Sequence, residues 1–163
     1  MRHTVIVPSY NTLEHTKNTY ESLLRYGGDL DIIIIDDASN DGTDEWLQSL
    51  TNDNLTVIID KERKGHTYWY DEGMRRAKTD IVSILHSDMV IGPGYFENML
   101  KHLEKGKVVC ATRIEPPIHP EGKEKVVRNF GMEANEFMWE AFENFVTKES
   151  NTYKDQTTRG IFA

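Results

Sequence analysis

Four consecutive isoleucines, Ile32–Ile35, run directly into two aspartates, Asp36 and Asp37, and then into the turn-forming stretch Ala38-Ser39-Asn40-Asp41-Gly42-Thr43. A β-branched run with no polar alternation suits a strand covered on both faces, which requires a parallel sheet sandwiched between helices. In open sheets of that kind, ligands bind beyond the carboxyl ends of the strands, where the two aspartates fall. A carboxylate in that position can accept a hydrogen bond from a nucleobase N–H. It can equally cap the helix that follows and keep the strand end soluble.

The rest of the chain alternates in the way that sheet demands. His3 to Pro8 reads as a first strand, and Thr12 to Tyr26 as a helix with Leu13, Tyr20, Leu23 and Leu24 on one face. Asn11 followed by Glu14 has the form of a capping box. A helix near Thr43 to Leu50, a strand at Leu55 to Ile59, a helix from His66 to Lys78 and a strand at Asp80 to Leu85 follow in turn. After the Gly92-Pro93-Gly94 break, Phe96, Met99, Leu100 and Leu103 recur at helical spacing, and Lys107 to Arg113 reads as a fifth strand. Such alternation indicates one α/β domain over residues 1–163. Within it, 1–113 forms the core, and 114–163 adds a proline-rich excursion or hairpin over the sheet's carboxyl edge, a last helix marked by Ala134, Phe137, Met138, Ala141 and Phe145, and a polar, mobile tail from Ser150.

Bulk properties narrow the function. A net charge of −8 argues against nucleic acid or an anionic membrane as the main partner. The single cysteine, Cys110, excludes an internal disulfide and reads as a small buried hydrophobe. With no cysteine framework, no signal peptide and no apolar run long enough to span a bilayer, a cytoplasmic location is the expectation.

Four segments carry chemistry: Val5 to Asn11 (VIVPSYN), Ile32 to Thr43 (IIIIDDASNDGT), Lys64 to Val82 (KGHTYWYDEGMRRAKTDIV) and Ile84 to Pro93 (ILHSDMVIGP). In this order they resemble the nucleotide-sugar-binding half of the family 2 glycosyltransferases, over Thr4 to Arg113. The third follows G-x-x-x-A-R-N-x-G-x-x-x-A through Gly65, Gly73 and Ala77, with Asp71 where Asn is common. The fourth stands where the family has a metal-binding D-x-D, but reads His86-Ser87-Asp88.

The resemblance implies a GT-A fold, a Rossmann-like and mainly parallel sheet flanked by helices. It also implies a divalent cation, Mn²⁺ or Mg²⁺, and a nucleoside-diphosphate sugar, a UDP-sugar foremost, as donor to a hydroxyl acceptor with inversion. Asp88 is the expected metal ligand, with His86 as a nitrogen ligand, a hydrogen-bonding neighbour of the sugar or a bystander. Asp37 matches the base-reading aspartate, and Asp36 the loop or ribose side. Pro8 and Tyr10 line the nucleoside pocket, Arg63 and Lys64 face the diphosphate, and Asp71 and Ser87 complete the donor side. Ser39 and Asp41 read as turn and cap residues.

The carboxylate that deprotonates the acceptor in inverting relatives, usually in an E-D pair, has no counterpart after Arg113. Glu115 and His119 are the remaining candidates. The gap leaves three expectations: a catalytic domain that stops short of its acceptor side, a compact variant whose base the sequence does not identify, or a non-catalytic or partner-dependent nucleotide-sugar-binding module. The aromatic residues Phe137, Trp139, Phe142 and Phe145 exceed what one helix face needs, which suggests self-association. A nucleotidyltransferase would open with a glycine-rich loop after its first strand, and PSYNTLEH has no glycine.

Overall fold

The structure is a computed structural model that describes residues 2–118, 120, 122 and 125–149. Its main sheet has four parallel strands in the order β3-β2-β1-β4. These are β1 (His3–Ser9), β2 (Leu30–Asp37), β3 (Leu55–Asp60) and β4 (Val82–Ile84). The connecting helices are α1 (Leu13–Tyr26), α2 (Thr43–Ser49) and α3 (His66–Arg76), and α4 (Tyr95–Leu100) follows β4.

The isoleucine run divides between two cores, as its period-2 geometry requires. Ile32 and Ile34 join Val5, Val7, Tyr20, Leu23, Leu47, Leu85, Ile91 and Phe96 on one face. Ile33 and Ile35 join Ile6 and Trp69 on the other, under α3. Burying such a side chain contributes roughly 1.5–3 kcal/mol, so β2 anchors both layers at once. The second layer is thin because α3 lies very close to the sheet. A Cβ on Gly73 would come within 2.6 Å of Ile6, so only glycine allows that approach.

Pro8 lies in a central strand, where its missing N–H would ordinarily leave a ladder bond unmade. Thr4 and Ile6 bond toward β4, through Thr4 N to Ile81 O and Leu85 N to Ile6 O. Pro8 therefore faces the same side, beyond the last residue of β4, where no partner strand runs.

Several boundaries differ from the sequence reading. No side-chain cap forms between Asn11 and Glu14; Glu14 pairs with Lys17, and the first N–H of α1, on Leu13, donates to Asp41 Oδ2 at 2.8 Å. The cap thus arrives from a loop 28 residues away, which local spacing cannot reveal. Leu24 is half exposed, and the buried face of α1 is instead built around Thr16, Thr19, Tyr20, Ser22 and Leu23.

The expected fifth strand at Lys107 to Arg113 does not join the main sheet. Val108 is 75% exposed and Cys110 is exposed, so the cysteine is no core residue. Strand propensity has no effect without a neighbouring ladder. Instead β5 (Arg113–Glu115) pairs with β6 (Lys125–Val127) in a separate, parallel two-stranded sheet rather than a hairpin.

The last helix, α5, begins at Trp139 and ends at Glu149, after a 3₁₀ turn at Ala134–Glu136. It docks on α1 through Glu143, which accepts hydrogen bonds from Tyr26 and Arg25, while Arg25 stacks on Trp139 at 4.5 Å. Phe142 is buried against Phe130 and Phe137, so the aromatics close a small satellite core. The polar tail and His119 lie outside the described residues. No described helix is long and apolar enough to cross a membrane.

Candidate functional site

All four strands of the main sheet are parallel, so their carboxyl ends share one edge, and the loops after β1, β2, β3 and β4 meet there. The first two loops are interlocked. Asn11 N donates to Ser39 Oγ at 2.9 Å, Asn40 N donates to Asn11 Oδ1 at 2.8 Å, and Asp41 bridges Leu13 N to Thr43. Asn11 and Ala38 take positive φ values of 51° and 65°, a backbone state non-glycine residues rarely adopt. Ser39 and Asp41 are thus turn and cap residues, as expected. Burial would raise the Asp41 carboxyl, but the donors from Thr43 and Leu13 outweigh it and hold the group below the ordinary aspartate value.

The adjacent aspartates live in opposite environments. Asp37 is 4% exposed, and its Oδ1 accepts from Lys64 N at 2.7 Å and Trp69 Nε1 at 2.6 Å, while Oδ2 accepts from Gly65 N at 2.8 Å. Burial acts to raise its pKa, yet these donors and the nearby Arg63 charge lower it below the usual range. Gly65, at φ 84°, makes the turn that aims its N–H and that of Lys64 at the carboxylate. Asp36 is 1% exposed, and its Oδ1 has no hydrogen-bond partner among the described residues. Burial raises its pKa, against only the Ser39 donors. Asp37 therefore secures the β3–α3 loop as a well-satisfied acceptor, and Asp36 is a carboxyl whose charged form burial disfavours.

The expected ligand residues separate accordingly. Tyr10 and Arg63 come together, with the guanidinium 3.9 Å from the ring centroid. Lys64 is exposed and paired with Asp60, whose hydrogen bond, and then its charge, raises the lysine pKa. His86 and Asp88 are both exposed at the end of β4. Ser87 between them turns inward: it is 7% exposed, its Oγ lies 3.0 Å from Thr12 Oγ1, and its carbonyl accepts from Thr19. That hydroxyl network, which includes Ser9 and Thr16, gives Ser87 a packing task rather than a ligand-facing one. Asp71 is exposed and spends its carboxylate on Arg75 one turn away.

Two residues of α3 escaped the sequence reading. Trp69, which supplies an indole donor to Asp37, stands where the family pattern has alanine. Tyr70, where the pattern has arginine, places its hydroxyl 3.3 Å from His86 Nε2, with His66 beside both rings. Burial, and then the charge of Asp88, raise the Tyr70 pKa. The signal was present in both departures from the pattern, but spacing alone does not say what a substituted side chain touches.

Among the described residues, no three His, Cys, Asp or Glu side chains converge to hold a metal ion by themselves. Mg²⁺ and similar hard cations commonly take one or two protein ligands and complete their shell with substrate phosphates and water. Asp88, with His86 on the same exposed loop, fits that second arrangement.

The sequence profile of the glycosyl transferase family 2 matches residues 4–163. This chain belongs to that family. Among curated relatives, the uncharacterized glycosyltransferase YfnE of Bacillus subtilis is 31% identical over 115 residues, covering 68% of this chain and 29% of its own length. The poly-beta-1,6-N-acetyl-D-glucosamine synthase of Staphylococcus aureus is 29% identical over 117 residues, 68% of this chain and 28% of the synthase. The chain therefore spans about a third or less of these relatives.

Among solved structures, the mannosyltransferase PcManGT of Pyrobaculum calidifontis, in complex with GDP-Man and Mn²⁺, superposes with a TM-score of 0.60 at 25% identity. The match covers 72% of this chain and 37% of that one. Staphylococcus aureus TarS 1–349 matches with a TM-score of 0.54 at 20% identity, over 69% of this chain and 39% of its own. The parallel sheet with flanking helices is the GT-A fold of these neighbours.

Proposed function

We propose that this chain binds a nucleoside-diphosphate sugar along the carboxyl edge of its sheet and transfers the sugar to a hydroxyl acceptor with the help of a divalent cation. The observation that carries the reading is the meeting, in a member of family 2, of Tyr10, Arg63, Asp37, Lys64, His86 and Asp88 on the loops of one sheet edge. The GDP-Man and Mn²⁺ of the mannosyltransferase support the donor class and the cation.

The division of labour follows from the chemistry of each group. Tyr10 and Arg63 offer flat faces to a base, and Pro8, with no N–H to donate, leaves the end of β1 unpaired on the β4 side, so that the nucleoside has room. Asp37 holds the β3–α3 loop and contacts the base with its remaining acceptor position. Arg63 and Lys64 set positive charge toward the diphosphate, Lys64 by leaving Asp60. Asp88 and His86 would hold the cation, which offsets the negative charge accumulating on a departing nucleoside diphosphate.

In the transfer, the acceptor oxygen forms its bond to the anomeric carbon on the face opposite the diphosphate. The bond to the diphosphate breaks, and a base takes the acceptor proton, so configuration inverts. Glu115 is engaged with both Arg113 and Lys125, so it reaches that task only by giving up two ion pairs.

Calorimetric titration with nucleoside diphosphates, with and without Mn²⁺, tests the binding, and release of nucleoside diphosphate from donor sugars tests the transfer. Absence of cation-dependent binding and of donor turnover would overturn the proposal. Cation-dependent binding without turnover would favour a nucleotide-sugar-binding module, the reading to which His86 in the first D-x-D position lends weight.

A further inference from the structure

Three ring side chains that the family pattern does not call for meet at the end of β4. His66 is the first residue of α3, Tyr70 lies one turn further along, and His86 stands in the first D-x-D position. The start of α3 and the end of β4 lie on the same sheet edge, which brings residues 20 positions apart into contact.

The His66 and His86 ring centroids are 5.8 Å apart, with the planes inclined by 31°. A metal bonded at about 2.1 Å to one nitrogen of each of two imidazoles holds their centroids about 5–6 Å apart. The observed spacing falls in that range. Both histidines are exposed, so core packing does not stop either ring from turning toward a ligand.

Tyr70 gives the pair a direction. Its hydroxyl oxygen lies 3.3 Å from His86 Nε2, and its ring is 6.1 Å from that of His66. A metal-bound histidine commonly donates its other ring N–H to a nearby oxygen, which fixes the tautomer. With Nε2–H donated to Tyr70, the lone pair of His86 left for a cation is on Nδ1.

Donor type decides which cation such a site takes. Mg²⁺ favours oxygen ligands and sheds water reluctantly, whereas imidazole suits first-row transition metals, with affinity rising from Mn²⁺ through Co²⁺ to Ni²⁺. A D-x-D offers carboxylate oxygen alone; here its first carboxylate is replaced by an imidazole, with a second imidazole beside it. We propose that His66 is a further cation ligand alongside His86 and Asp88, and that this nitrogen pair makes the site select transition-metal cations over Mg²⁺. The inference rests on the cation having the place given to it in the function proposed above. No three such groups converge among the described residues, so Asp88, diphosphate oxygens and water close the shell around the two rings when donor and cation bind together.

The test is calorimetry of UDP and of GDP at equal, fixed concentrations of Mg²⁺, Mn²⁺ and Co²⁺, with the wild type and with His66→Ala. In the wild type the nucleotide that binds should do so about tenfold or more tightly with Co²⁺ than with Mg²⁺, with Mn²⁺ between them. His66→Ala should shrink the Co²⁺-to-Mg²⁺ ratio by about tenfold, a comparison that cancels any difference between the metal nucleotides in water. Equal affinity with Mg²⁺ and Co²⁺, or a ratio unchanged in His66→Ala, overturns the proposal and leaves the proposed function standing. Failure of both nucleotides to bind with any cation removes that function, and this inference with it.

Pulsed electron paramagnetic resonance of bound Mn²⁺ gives a second readout that does not depend on affinity. Couplings to ¹⁴N from two imidazoles are expected in the wild type and from one in His66→Ala. A wild type that shows one coupled imidazole or none also overturns the proposal.

Discussion

The loops after β1 and β2 and the loop after β4 share one sheet edge but are built in opposite ways. The first pair is tied together before any ligand arrives: Asn11 to Ser39, Asn40 to Asn11, and Asp41 across to the start of α1. Asp37 extends the same lattice to the β3–α3 loop. After β4, His86 and Asp88 stand exposed, and His86 is tied by a hydrogen bond to Tyr70 at 3.3 Å with the His66 ring beside it. The difference teaches that the first pair of loops is preorganised by the fold and the loop after β4 is not; on the function proposed above, the nucleoside would meet a rigid surface, and ligand and cation would organise the phosphate side. Residues on the first side should matter for both stability and binding, and those on the second for binding alone.

The strongest attack on that contrast is Asp37→Ala. It strands an indole N–H and two backbone N–H groups, and should cost about 3–5 kcal/mol in urea unfolding as well as nucleotide binding. A stability near wild type would mean that the lattice does not depend on this carboxylate. Asp41→Ala is expected to cost about 1–2 kcal/mol, since it removes the acceptor at the starts of both α1 and α2. A loss limited to a few tenths would show that water caps α1 equally well.

Asp88→Asn sharpens the other side. Folding stability should change by no more than about 0.5 kcal/mol, as for an exposed surface residue. The tightening of nucleoside diphosphate binding by Mn²⁺ or Mg²⁺ should nevertheless vanish in calorimetry, and His86→Ala should weaken it less. Unaltered cation dependence in Asp88→Asn would detach the cation from this loop.

The smallest expected effect is in the pH dependence of the two neighbours. Asp37 titrates below the reference value of 3.8, so its contribution is complete above 3.8 and is lost as pH falls through its lowered folded pKa. Asp36 titrates above 3.8, so its contribution is complete below 3.8 and is lost as pH rises through the raised folded value. Urea midpoints across the acid range should therefore show Asp36→Asn removing a decline on the alkaline side of 3.8, while Asp37→Asn removes a decline on the acid side. If the two substitutions gave the same pH profile, the opposed environments assigned to this pair would be wrong.

Much of this molecule is determined by local chemistry and can be read in the chain. The isoleucine run dictates a strand with two covered faces, and the order of strands and helices then places Asp36, Asp37, His86 and Asp88 at one edge, because parallel strands end together. The Ser39–Thr43 turn is equally legible, since Asp side chains bond to nearby backbone groups whatever lies around them. Tertiary structure alone decided which distant groups those carboxylates meet. Asp41 caps α1 from across a loop, Trp69 claims Asp37, Ser87 turns into a hydroxyl network, and Lys107 to Arg113 fails to extend the sheet. Sequence carries the periodicity that assigns a residue to an element and a face. A hydrogen bond between side chains tens of residues apart depends on how closely two elements approach, and here the contact of Gly73 with Ile6 brought α3, and Trp69 with it, within reach of Asp37.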